Sequence, residues 1–160
     1  MVVDADGLKL LARLPDWPTR LPELSVLTPH PGEMAILTGL SVGELMDDRI
    51  DTTQRFASQW GHVVILKGAF SVIADPQGKT AVIQVATPAL ARAGTGDVLA
   101  GLVVGLRAQG VKAFQAAVAG AWIHARAGLL AEEKLGSSAA VLAGDVLRDV
   151  PQVMRELISC

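Results

Sequence analysis

Ala93-Gly94-Thr95-Gly96-Asp97-Val98-Leu99-Ala100-Gly101 is where this chain changes character. Upstream, short apolar runs alternate with turn residues. Downstream, apolar residues recur at helical spacing almost to the end. Two glycines frame a small hydroxyl residue, an acid follows, and the helical pattern begins at once. Glycines let the backbone bend tightly with its N–H groups outward. The helix start adds the positive end of its dipole at the same spot. The stretch therefore reads as an anion pocket with a carboxylate at its rim, set where a sheet gives way to helices.

Working back from that turn, Val63-Val64-Ile65-Leu66 is apolar on both faces, as in a parallel sheet covered on both sides, and it ends in Lys67-Gly68. Residues 71–74 and 80–85 alternate around Asp75-Pro76-Gln77-Gly78, which predicts a β-hairpin. Ser25-Val26-Leu27-Thr28 is a second buried strand, stopped by Pro29-His30-Pro31-Gly32. Residues 2–4 form a third, ending in acids, with a short helix over 7–13 after it. Pro15, Pro18 and Pro22 make the next stretch a loop. Residues 33–38 read as a helix ended by Gly39. Asp51 or Thr52 is expected to cap a further helix running to Trp60.

Past Gly96, one helical stripe comprises Val98, Leu99, Leu102, Val103 and Leu106, closed by Gly110. Phe114, Ala117, Val118, Ala121, Trp122, Ala125 and Leu129 form another. Val146, Val150, Val153 and Leu157 give a last helix, with a break expected at Asp149 or Val150 because of Pro151. Strands alternating with helices, followed by a helical tail, predict an α/β sandwich. The chain opens directly on a strand, so its sheet is expected either to lack its first strands or to continue one supplied elsewhere.

The 160 residues are one domain's worth, 51% hydrophobic and 19% charged, which excludes disorder. Net charge is −2 and there is no lysine or arginine run, so neither nucleic acid nor an anionic membrane is favoured as partner. The lone cysteine, Cys160, permits no intrachain disulfide and favours a cytoplasmic setting. The apolar stretch 116–131 is interrupted by His124 and Arg126, and no secretory leader is expected.

Several residues have both a structural and a chemical reading. Asp97 either caps a helix or takes a proton from a substrate hydroxyl, while the amides of Gly94, Thr95 and Gly96 hold a phosphoryl group. The adjacent glycine pair favours the second, since a simple cap does not need it. His30 sits where loops leave strand C-termini, the usual ligand-holding edge of an open α/β sheet. Lys67 either solvates a strand end or reaches nucleotide phosphates. Glu33 belongs to the following helix or organises a magnesium-bound phosphate through water. His62 and His124 read as structural, and Trp17, Trp60 and Trp122 as core or interface. No His or Cys pair has ligand spacing, so no protein-held metal is expected.

Three separated motifs agree in order and spacing: Thr28-Pro29-His30-Pro31-Gly32-Glu33, Val64-Ile65-Leu66-Lys67-Gly68 and Gly94-Thr95-Gly96-Asp97-Val98-Leu99-Ala100-Gly101. Together they resemble the ADP/ATP-dependent NAD(P)H-hydrate dehydratases, metabolite-repair enzymes of the ribokinase-like superfamily. The opening Val2-Val3-Asp4-Ala5-Asp6-Gly7-Leu8 resembles that family's preceding strand-to-helix segment. The resemblance implies a three-layer sandwich around a mostly parallel sheet, with residues 1–160 as the C-terminal portion of one domain, lacking its N-terminal strands. It implies a lyase in which ADP (or ATP) phosphorylates the hydroxyl of hydrated NADH or NADPH. Phosphate is then eliminated and the nicotinamide double bond restored.

The same resemblance implies His30 and Asp97 at the substrate, and Lys67, Gly68, Ala69, Phe70, Ser71 and Gly96 at the nucleotide. Mg2+ accompanies the nucleotide, and a homo-oligomer is expected. Ser71 replaces a frequent threonine but keeps the hydroxyl, and Lys9 stands where asparagine is usual. Two alternatives remain open: a kinase of the same superfamily acting on a hydroxyethylthiazole-like alcohol, and an inactive, truncated relic.

Overall fold

A computed structural model describes residues 1–158, so Cys160 lies outside the described residues. Among the described residues, five strands form one mixed sheet in sequential order: β1 (Val2–Val3), β2 (Val26–Leu27), β3 (Val63–Leu66), β4 (Val72–Ala74) and β5 (Thr80–Val82). β1, β2 and β3 are parallel to one another, whereas β4 and β5 are antiparallel additions. The expected parallel character thus holds for the first three strands and ends at the hairpin. A tight turn can only join antiparallel strands.

Alternation along these strands builds three layers. Val26, Val63, Ile65 and Ile73 point to one face, where Leu99, Val103, Ala117 and Ala121 cover them. Those residues belong to α5 (Thr95–Ala108) and α6 (Ala113–Leu135). Leu27, Val64, Leu66 and Ala74 point to the other face, against Leu8, Met34, Leu45, Phe56 and Trp60. That side is supplied by α1 (Asp6–Leu11), α2 (Pro31–Thr38), α3 (Val42–Asp47) and α4 (Arg49–Trp60). The last helix, α7 (Ala143–Ile158), packs on α6 through Val146, Val150 and Val153. Trp17 and Trp60 meet with ring centroids 5.0 Å apart, which places both in the core as expected.

Three elements differ from the sequence reading. α3 was not expected; it starts in a capping box, Ser41 Oγ accepting from the Glu44 amide and Glu44 from the Ser41 amide. α4 begins at Arg49, because Asp48, not Asp51 or Thr52, accepts from the Asp51 amide at 3.1 Å. α7 runs through Pro151 without a break. The carbonyl that proline leaves without its helical donor belongs to Leu147, a residue that is exposed. Leu157 is also exposed, so the buried stripe of α7 ends at Val153.

Candidate functional site

Because β1, β2 and β3 run in parallel, the residues leaving their C-terminal ends arrive side by side. Asp4 follows β1, His30 ends the loop after β2, and Lys67 follows β3. The Lys67 amide donates to the Pro29 carbonyl at 2.8 Å, which ties the last two loops together. Lys67 Nζ lies 2.6 Å from Asp4 Oδ1 and 3.6 Å from Glu33 Oε2. A side chain on Gly96 would approach Asp4 and Lys67 to 3.4 and 3.5 Å, so the glycine turn lies directly over this ion cluster. Asp4 was not singled out from the sequence, although its place after a buried strand was the available signal.

His30 caps α2. Its Nδ1 accepts from the amides of Gly32 and Glu33 at 3.0 and 3.2 Å, and Glu33 Oε2 accepts from the His30 amide at 2.8 Å. Nε2 lies 3.3 Å from Glu33 Oε1. Nδ1 thus faces two main-chain donors, and the ring is about half exposed to solvent. His30→Ala is expected to cost about 1 kcal/mol of stability through the lost cap, measured by denaturant unfolding. His30→Asn, which can still cap, is expected to restore that stability. An asparagine variant as unstable as the alanine one would show that the ring's packing, not its cap, matters.

The loop from Lys67 to Ser71 is shaped from beneath by Arg49. Its Nη1 donates to the Ala69 carbonyl at 2.6 Å and its Nη2 reaches the Leu66 carbonyl at 3.4 Å. Burial lowers the guanidinium pKa from its ordinary value. Gly68 takes φ +150, a conformation that side-chain-bearing residues rarely adopt, so the loop favours glycine there. Arg49 was missed from the sequence, where nothing distinguishes it from a solvated helical arginine. Ser71 Oγ donates to the Gly68 carbonyl at 3.1 Å and closes the loop.

At the glycine turn, Gly94 takes φ +86, a left-handed conformation open to glycine without strain, and serves as the N-cap position of α5. Thr95 is a brace. Its amide goes to the Arg92 carbonyl at 3.3 Å, and its hydroxyl reaches the carbonyls of Leu90 and Arg92 at 2.7 and 2.8 Å. The Val98 amide goes to the Gly94 carbonyl. Among the described residues, the amides of Gly96 and Asp97 have no main-chain partner. The free main-chain donors at the turn are thus the amides of Gly96 and Asp97, whereas the Thr95 amide is engaged by the Arg92 carbonyl.

A cavity of about 600 Å3 opens at this edge of the sheet. His30, Lys67, Gly68, Ala69, Ser71, Thr95 and Gly96 all line it. Phe70 does not; it is exposed, with φ +56. Asp97 is exposed and lines a second, shallower cavity of about 450 Å3 on the other flank of α5, with Val98, Gly101 and Leu102. The sequence brought the two halves of the turn to one point; the structure divides them between two hollows that share the N-terminus of α5. Among the described residues, no group of three or more His, Cys, Asp or Glu side chains is arranged for a metal ion.

His124, read as structural, is buried and forms part of the first cavity's wall, and its Nε2 has no hydrogen-bond partner. Burial pushes its pKa down from 6.5 to about 4, with the Lys67 charge adding to the fall and a main-chain hydrogen bond from the ring to Thr95 opposing it. The ring is therefore neutral in the folded chain and protonated first in the unfolded one. Its contribution to stability is complete above pH 6.5 and is lost as pH falls towards about 4. We expect His124→Asn to flatten unfolding stability against pH over that window, by up to about 3 kcal/mol at its acid end. A variant curve parallel to wild type would show that His124 is not the titrating group. His62, by contrast, is structural: its Nε2 pairs with the Pro18 carbonyl at 2.9 Å and its ring stacks on Trp17.

Residues 1–152 match the family model of NAD(P)H-hydrate dehydratase. The chain is 43% identical over 156 residues to a bifunctional NAD(P)H-hydrate repair enzyme of Moorella thermoacetica, covering 98% of this chain and 29% of that protein. It is 39% identical over 150 residues to the ADP-dependent (S)-NAD(P)H-hydrate dehydratase of Neisseria meningitidis, covering 91% of this chain and 50% of that one. Among solved structures, the ADP/ATP-dependent NAD(P)H-hydrate dehydratase of Bacillus subtilis, co-crystallised with ATP/Mg2+, superposes with a TM-score of 0.85 at 30% identity. That match covers 97% of this chain and 54% of the other. The chain thus spans half or less of the curated relatives it matches. These names leave the thiazole-kinase alternative without support. With its three-layer ribokinase-like fold and its three motifs meeting at one sheet edge, the chain belongs to the NAD(P)H-hydrate dehydratase family.

Proposed function

We propose that this chain carries the nucleotide site and the acid of an enzyme that dehydrates hydrated NADH or NADPH, converting ADP to AMP and phosphate. The observation that carries the reading is the convergence of Lys67, Ser71 and the Gly96 amide on one apolar-walled cavity beside the Asp4–Lys67–Glu33 cluster. Lys67 and the amides of Gly96 and Asp97 supply positive charge and donors to a phosphoryl group, the requirement of phosphoryl transfer. The nucleotide lies against the 67–71 loop. Asp97, on the opposite flank of the turn, takes the proton from the hydroxyl of the hydrated nicotinamide as its oxygen bonds to the terminal phosphorus of ADP and AMP leaves. Loss of the phosphate ester with a ring proton then restores the double bond. His30 contacts the hydrated dinucleotide with its exposed ring face.

Mg2+ accompanies the nucleotide phosphates in this reading. Lys67 already engages Asp4 and Glu33, so those carboxylates do not form a ready metal site. The ion's chemistry is to neutralise phosphate charge, and no step is assigned to it. Self-association is supported by exposed Val104, Leu147 and Met154. No helix among the described residues is long and apolar enough to cross a membrane, and the reading places the activity in the cytoplasm, where reduced nicotinamide cofactors are used.

The test incubates the chain with hydrated NADH, ADP and Mg2+. Phosphate release with recovery of absorbance at the reduced-nicotinamide band supports repair. A stable phosphorylated dinucleotide, or no turnover by a chain that binds ADP, contradicts it. Light scattering of the same sample reads the oligomeric state.

A further inference from the structure

Arg49 stands where a cation does its own helix no good. It is the first residue of α4, at the positive end of the helix dipole. Among the described residues it forms no ion pair, and its buried Nε has no acceptor. Both terminal nitrogens go instead to one loop, Nη1 to the Ala69 carbonyl at 2.6 Å and Nη2 to the Leu66 carbonyl at 3.4 Å. The contacts that account for this arginine therefore lie outside its helix, in the segment after β3.

Peptide geometry fixes what that hold does to the loop. In a trans peptide the C=O and N–H point in opposite directions. Drawing the Leu66 oxygen to Arg49 turns the Lys67 N–H the other way, onto the Pro29 carbonyl at 2.8 Å. Drawing the Ala69 oxygen to Arg49 likewise turns the Phe70 N–H away from the guanidinium, where no protein group accepts it. Phe70 holds φ +56, a value that a bulky residue keeps only where its surroundings impose it. With Ser71 Oγ on the Gly68 carbonyl, the carbonyls of Leu66, Gly68 and Ala69 are all engaged. The amides of Gly68, Ala69 and Phe70 are all without an acceptor among the described residues. A stretch with its acceptors taken and its donors free suits an acceptor-rich, anionic ligand. Gly68, Ala69 and Ser71 line the first cavity, and Arg49 does not.

We propose that Arg49 is a positioning residue for the nucleotide-dependent reaction: without touching the ligand, its guanidinium holds the 67–71 loop with the free N–H groups turned to the nucleotide. The inference rests on the nucleotide reading of this cavity. The same two contacts flank Lys67, so the backbone that carries its ammonium is set by the same arginine. A planar fork reaches two carbonyls at once, whereas a lysine ammonium is a point donor on a flexible stem.

Titration of the full, isotope-labelled chain with ADP, read by amide NMR shifts and by calorimetry, tests this. In the wild type, saturating ADP is expected to move the amide resonances of Gly68, Ala69 and Phe70 together with that of Gly96. Arg49→Met is expected to bind ADP about 10-fold more weakly. At saturation its Gly96 amide still moves, while the amides of Gly68, Ala69 and Phe70 lose most of their response. Arg49→Lys keeps the charge and serves one carbonyl, so an intermediate loss of about threefold is expected. The lysine variant decides the matter should the methionine variant lose its cooperative melt, and wild-type affinity and shifts in it then overturn the proposal. A folded methionine variant that melts lower yet binds ADP within about twofold, with wild-type shifts, makes Arg49 a structural residue only. That result, or wild-type binding that leaves the amides of Gly68, Ala69 and Phe70 unmoved, overturns the role of Arg49 while the nucleotide site stands. A folded wild type that binds no ADP overturns both this inference and the nucleotide reading.

Discussion

Asp97→Asn is expected to lower turnover of hydrated NADH by about 10²–10⁴-fold, the usual worth of a positioned general base, while ADP affinity stays within about threefold. Asparagine has the same shape as aspartate, so the helix start and the free amides of Gly96 and Asp97 survive the change. What disappears is a proton acceptor on an exposed side chain at the second hollow, across the turn from the nucleotide wall. Calorimetry with ADP and a phosphate-release assay read the two halves of this expectation. Unchanged turnover would remove Asp97 as base and turn the search to Asp4 and Glu33, the carboxylates paired with Lys67.

Lys67→Met is expected to weaken ADP binding by about 10- to 100-fold, the worth of a charge-assisted hydrogen bond to phosphate. A second consequence is independent of ligand. The Lys67 ammonium is 19% exposed and stands between Asp4 and Glu33, whose side chains are 12% and 4% exposed. Removing the cation leaves two nearly buried carboxylates facing each other, so the free chain is expected to lose about 2–3 kcal/mol of stability. Thermal unfolding without nucleotide and titration with it separate the two effects. Lost stability with unchanged ADP affinity would make Lys67 a structural ion and remove it from the phosphate site. Lys67→Arg keeps the charge and is expected to recover stability more fully than affinity, because the planar fork does not fit where a compact ammonium sat.

The difference between elements that were read and elements that were missed has one physical source. Val63-Val64-Ile65-Leu66 and the Gly94-Thr95-Gly96 turn declare themselves because burial on both faces, and backbone freedom at a sharp bend, each demand particular residue types. Gly39 ends α2 in the left-handed conformation that was expected of it. α3 escaped notice because its six residues are too few to show a period, and only Leu45 is buried. Arg49 escaped because its partners are carbonyls, at Leu66 and Ala69, and a carbonyl leaves no mark on a side-chain pattern.

Local patterns in the chain sufficed for the α/β layers, the parallel strands, the glycine turn at the head of α5, and the expectation that His30, Lys67 and Gly96 lie together, as they do along one cavity. Periodicity, capping and turn chemistry are local properties, carried by residues close together in the chain. Long-range packing was needed to place Lys67 between Asp4 and Glu33, to make Thr95 the brace of the turn while the amides of Gly96 and Asp97 stay free, to turn Asp97 to a different hollow, and to bring His124 into the cavity wall. Each of these depends on which face of an element meets which neighbour across tens of residues. That choice is made by packing the two sides of the sheet, and no stretch of the chain contains it alone.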